Sequence, residues 1–385
     1  MQTLSQSPTD PDFVQNPYPF YDSARALGDV FWWADYDMPC AVSHKAVSLA
    51  LRDRRMGREA PEPLSFPDHL APFYAIEAHS MLELEPPRHT RLRSLVLRAF
   101  TSRRIAGLAP EIDALADSLI DAFPDGPFDL LDAFARPLPV IIIARLLGVP
   151  DSSAPDLLRW SNAMVAMYQA SRTRAIEDAA SAAATEFTAF LTDFIAAKRH
   201  DPQDDLISTL IAAEEDGAKL CTEELITTCI LLLNAGHEAT VHTIGNGVKT
   251  MIETGHCDVD GPVIEEVMRY DPPLHIFTRW VYEDMELCGV PLKRGQQLGC
   301  LLGAAGRDPL VYDQPNTFVP ARSAKPHTAF GGGIHFCVGA PLARLELERG
   351  LSRLFARCPG LALAAPPRYA DVYHFHGLDS LQVTR

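Results

Sequence analysis

Apolar residues recur at helical spacing over most of the chain. In Leu108–Phe123, residues Leu108, Ile112, Leu115, Leu119 and Ile120 fall on one face of a helix, since positions three and four apart stack together. Pro137–Leu147 is apolar on every side, which predicts a buried helix stopped by Gly148-Val149-Pro150. Ala154–Gln169 and the alanine-rich Ala175–Arg199 continue the pattern, the second running into the charged loop His200–Asp205. From Thr222 to Thr254 the period holds for roughly 30 residues, a rod of about 45 Å at 1.5 Å per residue. A helix that long and apolar is expected to cross the middle of the molecule. Pro262, with Glu265 and Glu266 behind it, predicts the start of another helix, and Pro272-Pro273 its stop.

Beyond residue 273 the texture changes. Phe277–Val281, Leu287–Pro291 and Leu298–Leu302 predict short strands separated by turns such as Lys293-Arg294-Gly295. A loop rich in Gly and Pro leads to Cys337, a helix covers Ala340–Arg357, and the last residues predict strands. No repeat and no polar linker divides the chain. The expectation is one mainly α domain over residues 1–385, with its helical bulk at about 80–270 and 338–357 and a small β part at about 25–60, 275–302 and 360–385.

Charge removes several classes of function. With 34 Lys+Arg against 50 Asp+Glu, the net charge of -16 disfavours wrapping nucleic acid or lying on an anionic membrane. The eight cysteines contain no CxxC and resemble neither a disulfide framework nor a zinc knuckle. Residues Met1–Ser23 lack the basic-then-apolar order of a signal peptide, and the apolar stretches near Pro139–Leu147 and Leu225–Leu233 are too short to span a bilayer. A cytoplasmic protein with reduced thiols is expected.

One segment concentrates chemistry: Phe330-Gly331-Gly332-Gly333-Ile334-His335-Phe336-Cys337-Val338-Gly339. Three glycines let the backbone turn sharply and approach a flat ligand. Cys337 precedes the helix containing Pro341, where the dipole and free N–H groups favour a thiolate. Such a thiolate can ligate a metal, act as a nucleophile, or do nothing beyond packing.

The segment resembles the haem-binding loop of the cytochrome P450 superfamily, Phe-Gly-x-Gly-x-His-x-Cys-x-Gly, with Phe330, Gly331, Gly333, His335, Cys337 and Gly339 at every fixed position. The resemblance implies the fold of that superfamily, a haem b (iron protoporphyrin IX) cofactor, and Cys337 as axial ligand of its iron. A thiolate ligand there favours O–O cleavage. Further landmarks follow in order: Asn16-Pro17-Tyr18-Pro19, Leu146-Leu147-Gly148-Val149-Pro150 and Phe375-His376-Gly377-Leu378. The absence of a membrane anchor points to the soluble bacterial type. Glu266-Val267-Met268-Arg269 is similar to the family's Glu-x-x-Arg brace, with Arg322 in Phe318-Val319-Pro320-Ala321-Arg322 as third member. His89 and Arg93, spaced i,i+4 after Pro86-Pro87, together with Arg279 and His335, resemble the set that holds the haem propionates. Guanidinium forks suit carboxylates.

In the long helix, Ala235-Gly236-His237-Glu238-Ala239-Thr240 is similar to the family's oxygen-activating turn, Ala/Gly-Gly-x-Asp/Glu-Thr-Thr/Ser, with one departure. Glu238 matches the acid, but Ala239 stands where the first alcohol is expected. Thr240 lies about 100° further round the helix and cannot substitute in place; it can instead bond the carbonyl of Gly236. A water chain, or a hydroxyl or carbonyl on the substrate, is expected to complete the relay.

The resemblance places Phe73, Tyr74, Met81, Met164, Met167, Leu233, His237, Leu274, Ile276, Phe277 and Phe375 around a pocket, with His237, His275 and His376 as polar handles. That set suits a small to medium lipophilic substrate carrying one polar group. No dinucleotide fingerprint is present, so electrons are expected from a separate ferredoxin and ferredoxin reductase, with NAD(P)H as donor. Arg91, Arg98, Arg103, Arg104, Arg344 and Arg353 are the expected docking patch on a monomer. Hydroxylation, O-dealkylation or epoxidation with dioxygen is the leading activity. A peroxide-using or non-oxygenating haem enzyme, and a non-catalytic haem sensor, are the alternatives.

Overall fold

Apolar strands from distant parts of the chain assemble the β part of the protein. In the computed structural model, which describes residues 1–213, 220–322 and 326–385, a six-stranded sheet runs in the order Thr3–Leu4, Val30–Trp33, Met38–Ala41, Gln297–Leu301, Ile276–Val281, Met56–Gly57. Ile276 pairs with Leu301 and Arg279 with Leu298 in antiparallel register. Alternate residues of a strand face opposite sides, and Ile276 accordingly joins a core of Phe13, Tyr21, Phe31, Trp33 and Tyr373, while Phe277 packs with Leu274 on another. Small sheets pair Ala362–Leu363 and Phe128–Asp129 with Gln382–Thr384, and Arg368–Tyr369 with Leu378–Ser380.

The expected mainly helical class with a small β part is found. The chain forms two compact units that interleave in sequence. The first comprises Met1–Pro63, Ala116–Ala135 and Ala239–Arg385, and carries the sheets and the cysteine loop. The second, Leu64–Leu115 and Arg136–Glu238, is helical. Within it Arg174–His200, capped by Thr173, packs on Ala154–Val165 and Ala71–Glu77. Pro137–Leu147 is buried nearly all round and ends at Gly148, whose φ of 80° lets the Gly148 and Val149 amides cap the carbonyls of Arg145 and Ala144. The helix Thr222–Thr254 has the predicted bounds, and the unit boundary falls inside it.

Two elements differ from expectation, and a third region carried none. The strand predicted at 287–291 is a hairpin of Met285–Leu287 and Val290–Leu292, turned at Cys288 and Gly289. Both turn residues have positive φ, 50° and 81°, as the tight hairpin twist requires. The helix from Ala154 stops at Val165 and tightens into a 3₁₀ turn at Ala166–Tyr168. The proline-rich start forms two short helices, Pro11–Gln15 and Tyr18–Leu27, each with a proline in its first turn, where no amide partner is lost. Among the described residues no helix is long and apolar enough to cross a membrane.

Candidate active site

The cysteine loop is fixed by its backbone. Gly331 (φ 70°) and Gly333 (φ 68°) sit in the left-handed region that side chains avoid. A Cβ on Gly331 would touch the Phe277 ring at 3.3 Å, and one on Gly333 would overlap the carbonyl oxygen of Leu51. The amide of Cys337 donates to the carbonyl of Phe330 at 3.0 Å, closing the loop, and that of Gly331 to Thr328 at 2.8 Å. The half-buried Cys337 then stands two residues before Gly339, the N-cap of the helix Ala340–Arg357. A Cβ on Gly339 would lie 3.8 Å from the Cys337 sulfur, in ordinary van der Waals contact.

The other cysteines are poorer candidates. Cys40, Cys229, Cys300 and Cys358 are buried. Burial pushes the Cys300 thiol up to about 11 and the Cys229 thiol up to about 12, which keeps both protonated.

Around the loop a brace is assembled from one buried ion pair. Arg269 Nε and Nη2 donate to the two oxygens of Glu266, both at 2.7 Å. The remaining Arg269 donors reach the carbonyls of Gly306 (2.8 Å), Pro315 (2.9 Å) and Thr317 (3.1 Å). Glu266 also accepts from the Val319 amide at 2.8 Å and from Arg322 Nε at 3.3 Å. A buried pair persists only when its remaining donors and lone pairs are satisfied, and here backbone carbonyls on the approach to the loop supply them. The three residues singled out in the sequence therefore meet.

A second brace was not foreseen. Glu265 accepts from Arg344 Nη2 at 3.0 Å and pairs with His327 Nε2 at 3.1 Å, and the Arg344 guanidinium lies 4.5 Å over the Phe330 ring. Burial alone would raise the Glu265 carboxyl, but the bonds from His327 and Arg344 outweigh it and hold the group down at about 2. Sequence offered two adjacent glutamates and no means of dividing them between partners.

The long helix carries its chemistry on one turn. A Cβ on Gly236 would meet Ile143 at 3.0 Å, so glycine there permits close packing on the helix Pro137–Leu147. His237 is buried, its Nδ1–H donates to the Leu233 carbonyl at 2.9 Å, and its Nε2 lies 3.4 Å from Glu238 Oε2. Since Nδ1 carries the ring hydrogen, the Nε2–carboxylate approach is attractive only with a further proton on the pair. Ala239 has no hydroxyl, and its carbonyl accepts from Thr243 Oγ1 at 2.7 Å. Thr240 is buried.

The other sequence candidates divide between the units. In the first, Arg279 is buried on its strand, with Nη1 donating to Thr278, and His335 is half-buried beside Cys337. Leu274 bridges to Phe375. In the second, His89 is buried and Arg93 half-buried on the helix Arg88–Ala99, while Phe73, Met81, Met164, Met167 and Leu233 are buried. Asn234 approaches the Met164 sulfur at 3.7 Å, and Tyr74 stacks on Phe66 at 3.4 Å.

Four of the six arginines expected in a docking patch are engaged by acids: Arg91 with Glu224, Arg104 with Asp204, Arg344 with Glu265 and Arg353 with Asp117. Arg98 and Arg103 are exposed. His275 and His376, expected as polar handles, are wholly buried. Burial drives both imidazoles toward the neutral form, His376 down to about 3.

The donor set fits a haem: a half-buried cysteine outside any disulfide on a glycine-cradled loop, with a buried guanidinium and an imidazole in the same unit. Comparison with known proteins agrees. Residues 262–359 match the family model described as Cytochrome P450. The chain is 32% identical to a biotin biosynthesis cytochrome P450 of Bacillus subtilis over 99% of both chains. It is 36% identical to the cytochrome P450 monooxygenase PikC of Streptomyces venezuelae, covering 92% of this chain and 87% of that one. The solved structure of P450BioI, in complex with an acyl carrier protein bearing hexadec-9Z-enoic acid, superposes with a TM-score of 0.91 at 32% identity, covering 97% of this chain and 99% of that one.

Proposed function

The chain belongs to the cytochrome P450 family, and from that premise we propose that it is a monooxygenase in which the Cys337 thiolate would ligate the iron of haem b. The substrate is a small to medium lipophilic molecule, hydroxylated, O-dealkylated or epoxidised at the expense of dioxygen. Electrons come from NAD(P)H through a ferredoxin reductase and a ferredoxin to a cytoplasmic monomer. The observation that carries the reading is the closed loop Phe330–Gly339, which holds the half-buried Cys337 at a helix start.

When bound, the thiolate-ligated haem supplies the oxygen-activating chemistry. The chain supplies the rest. Arg279 and His335, and likewise His89 and Arg93, are the residues that would hold the propionates through charge-assisted bonds. The Glu266–Arg269–Arg322 brace holds the approach to the cysteine loop in place. Leu274, Phe277 and Phe375, with Phe73, Met81, Met164 and Leu233, offer apolar surface to the substrate, and Ile276 backs the strand from its core side. Glu238, with His237 Nε2 3.4 Å from its carboxylate, is the proposed proton source. With Ala239 in the alcohol position, an ordered water or a hydroxyl or carbonyl of the substrate passes that proton on.

The test is the absorption spectrum of the reduced, carbon-monoxide-bound protein. The wild type is expected to show the strongly red-shifted Soret band of a thiolate ligand, and Cys337→Ser to lose it. A wild type that binds haem without that band overturns the assignment. Turnover with ferredoxin, reductase and NAD(P)H supports oxygenation with dioxygen; turnover with peroxide alone removes the redox partners from the proposal.

A further inference from the structure

The first unit buries a second cluster of polar side chains, away in sequence from the cysteine loop and unused by the chemistry above. Asp271 ends the helix Gly261–Tyr270, His275 follows Pro272-Pro273-Leu274, and His376 lies in the C-terminal segment. Their exposures are 3%, 0% and 1%. Each has a tyrosine behind it. Tyr18 donates to Asp271 Oδ1 at 2.9 Å, and Tyr369 donates to Oδ2. His275 Nδ1 lies 2.8 Å from the Tyr21 hydroxyl, which lies 2.7 Å from that of Tyr373. The His376 ring stacks on Tyr369 at 3.9 Å.

These contacts leave nitrogen atoms over. Among the described residues, His275 Nε2 is buried with no hydrogen-bond partner, as is Nδ1 of His376, whose other ring nitrogen is the one near Asp271. His376 Nε2 stands 3.6 Å from Asp271 Oδ1, too far for a hydrogen bond. One ligand atom from each of the three residues lies within 4.8 Å of the other two.

We propose that Asp271, His275 and His376 form a binding site for a divalent transition-metal ion, with zinc as the reference cation. Two imidazoles and one carboxylate are the donors such ions take, whereas magnesium and calcium need shells of oxygen. A tetrahedral zinc with ligands at about 2.0–2.1 Å sets them about 3.4 Å apart, close to the 3.6 Å between His376 and Asp271. His275 closes the remaining gap by a shift of about 1 Å, leaving the fourth position for water. Tyr21, Tyr18 and Tyr369 are outer partners of the kind that orient ligating rings and carboxylates. In the tautomer that binds the ion, His275 Nδ1–H donates to the Tyr21 hydroxyl, whose own hydrogen can pass to Tyr373, and the Nε2 lone pair is left for the ion.

Arg307 sets a condition on the ion. Its guanidinium donates to the Tyr270 carbonyl at 2.9 and 2.7 Å and lies 3.3 Å over the Tyr18 ring. Positive charge this near rejects a cation held by charge alone and admits one held by nitrogen bonds. Bound there, the ion pins residues 271–275 to the C-terminal segment, and its binding adds to folding stability.

The experiment is elemental analysis of the purified, haem-loaded full chain after dialysis against metal-free buffer. About one zinc per chain is expected beside the haem iron, lost in His376→Gln and Asp271→Asn. A different trio in the second unit, His79, Cys221 and Glu224, also presents metal-ligating atoms together, though Arg91 already engages Glu224. Cys221→Ser is therefore the control, and it should leave the zinc unchanged. If the buried variants do not fold, the wild type still decides. After chelator treatment its Tm should rise on adding zinc and saturate at one equivalent. A wild type that contains no zinc and shows no Tm response to zinc, cobalt or nickel overturns the site. Zinc that disappears with Cys221→Ser also overturns it.

Discussion

In the cysteine loop the backbone itself is constrained: two residues take positive φ, the Cys337 amide is tied to Phe330, and Leu51 fills the space a side chain on Gly333 would need. In the turn Gly236–Thr240 the backbone is ordinary helix, and only the side chains differ from one such turn to another. The first region has almost no freedom to vary and matches its family pattern at every fixed position. The second departs from the pattern at Ala239 without disturbing the fold. The geometry that would hold the proposed metal ligand is thus built into the chain path, while the proposed proton delivery is left to replaceable groups.

The largest expected effect breaks the first region. Gly333→Ala adds a methyl against the Leu51 carbonyl at a residue with φ 68°, and strain of that kind costs about 1–3 kcal/mol before the clash is counted. Haem content per chain and the thiolate carbon-monoxide band should both fall; a variant with both intact would show that backbone constraint does not define the loop. A smaller effect is expected from Glu238→Gln, which keeps shape and removes the acid. Oxygen-dependent NAD(P)H consumption should drop by about 100-fold, the low end for loss of a general acid, while the substrate-induced spin shift stays. Equal loss of binding and rate would move Glu238 from proton delivery to substrate positioning. The smallest and most informative change is Ala239→Thr. Restoring a hydroxyl should raise the fraction of electrons recovered in product, most for substrates lacking their own hydroxyl or carbonyl. Unchanged coupling for every substrate would remove Ala239 as the limiting feature.

What could be read in advance follows the range of the forces involved. The helices Pro137–Leu147, Thr222–Thr254 and Ala340–Arg357 had legible bounds, because period, proline and glycine act within a few residues. Glu266 and Arg269 were legible for the same reason, being one helical turn apart. The hairpin at Cys288-Gly289 was not, since cysteine is an unusual residue to place at positive φ. Nor were the partners of Arg91, Arg344 and Arg353, which come from distant segments of the sequence. Charge composition announces that arginines will find acids in so acidic a chain, but only the folded path decides which. The tyrosines around Asp271 were hidden similarly, as Tyr18, Tyr21, Tyr369 and Tyr373 come from opposite ends of the chain.

Gly148 has a consequence of another kind. It ends a buried helix at positive φ, and a side chain there would also overlap the carboxylate of Asp205, which pairs with the buried Lys198. Two separate penalties therefore guard one position. Shortening Asp205 lifts only the steric one and strands the Lys198 charge, so no single step away from this arrangement is downhill. Over evolutionary time positions 148, 198 and 205 are expected to change together or not at all, and the order of substitutions matters more than their number.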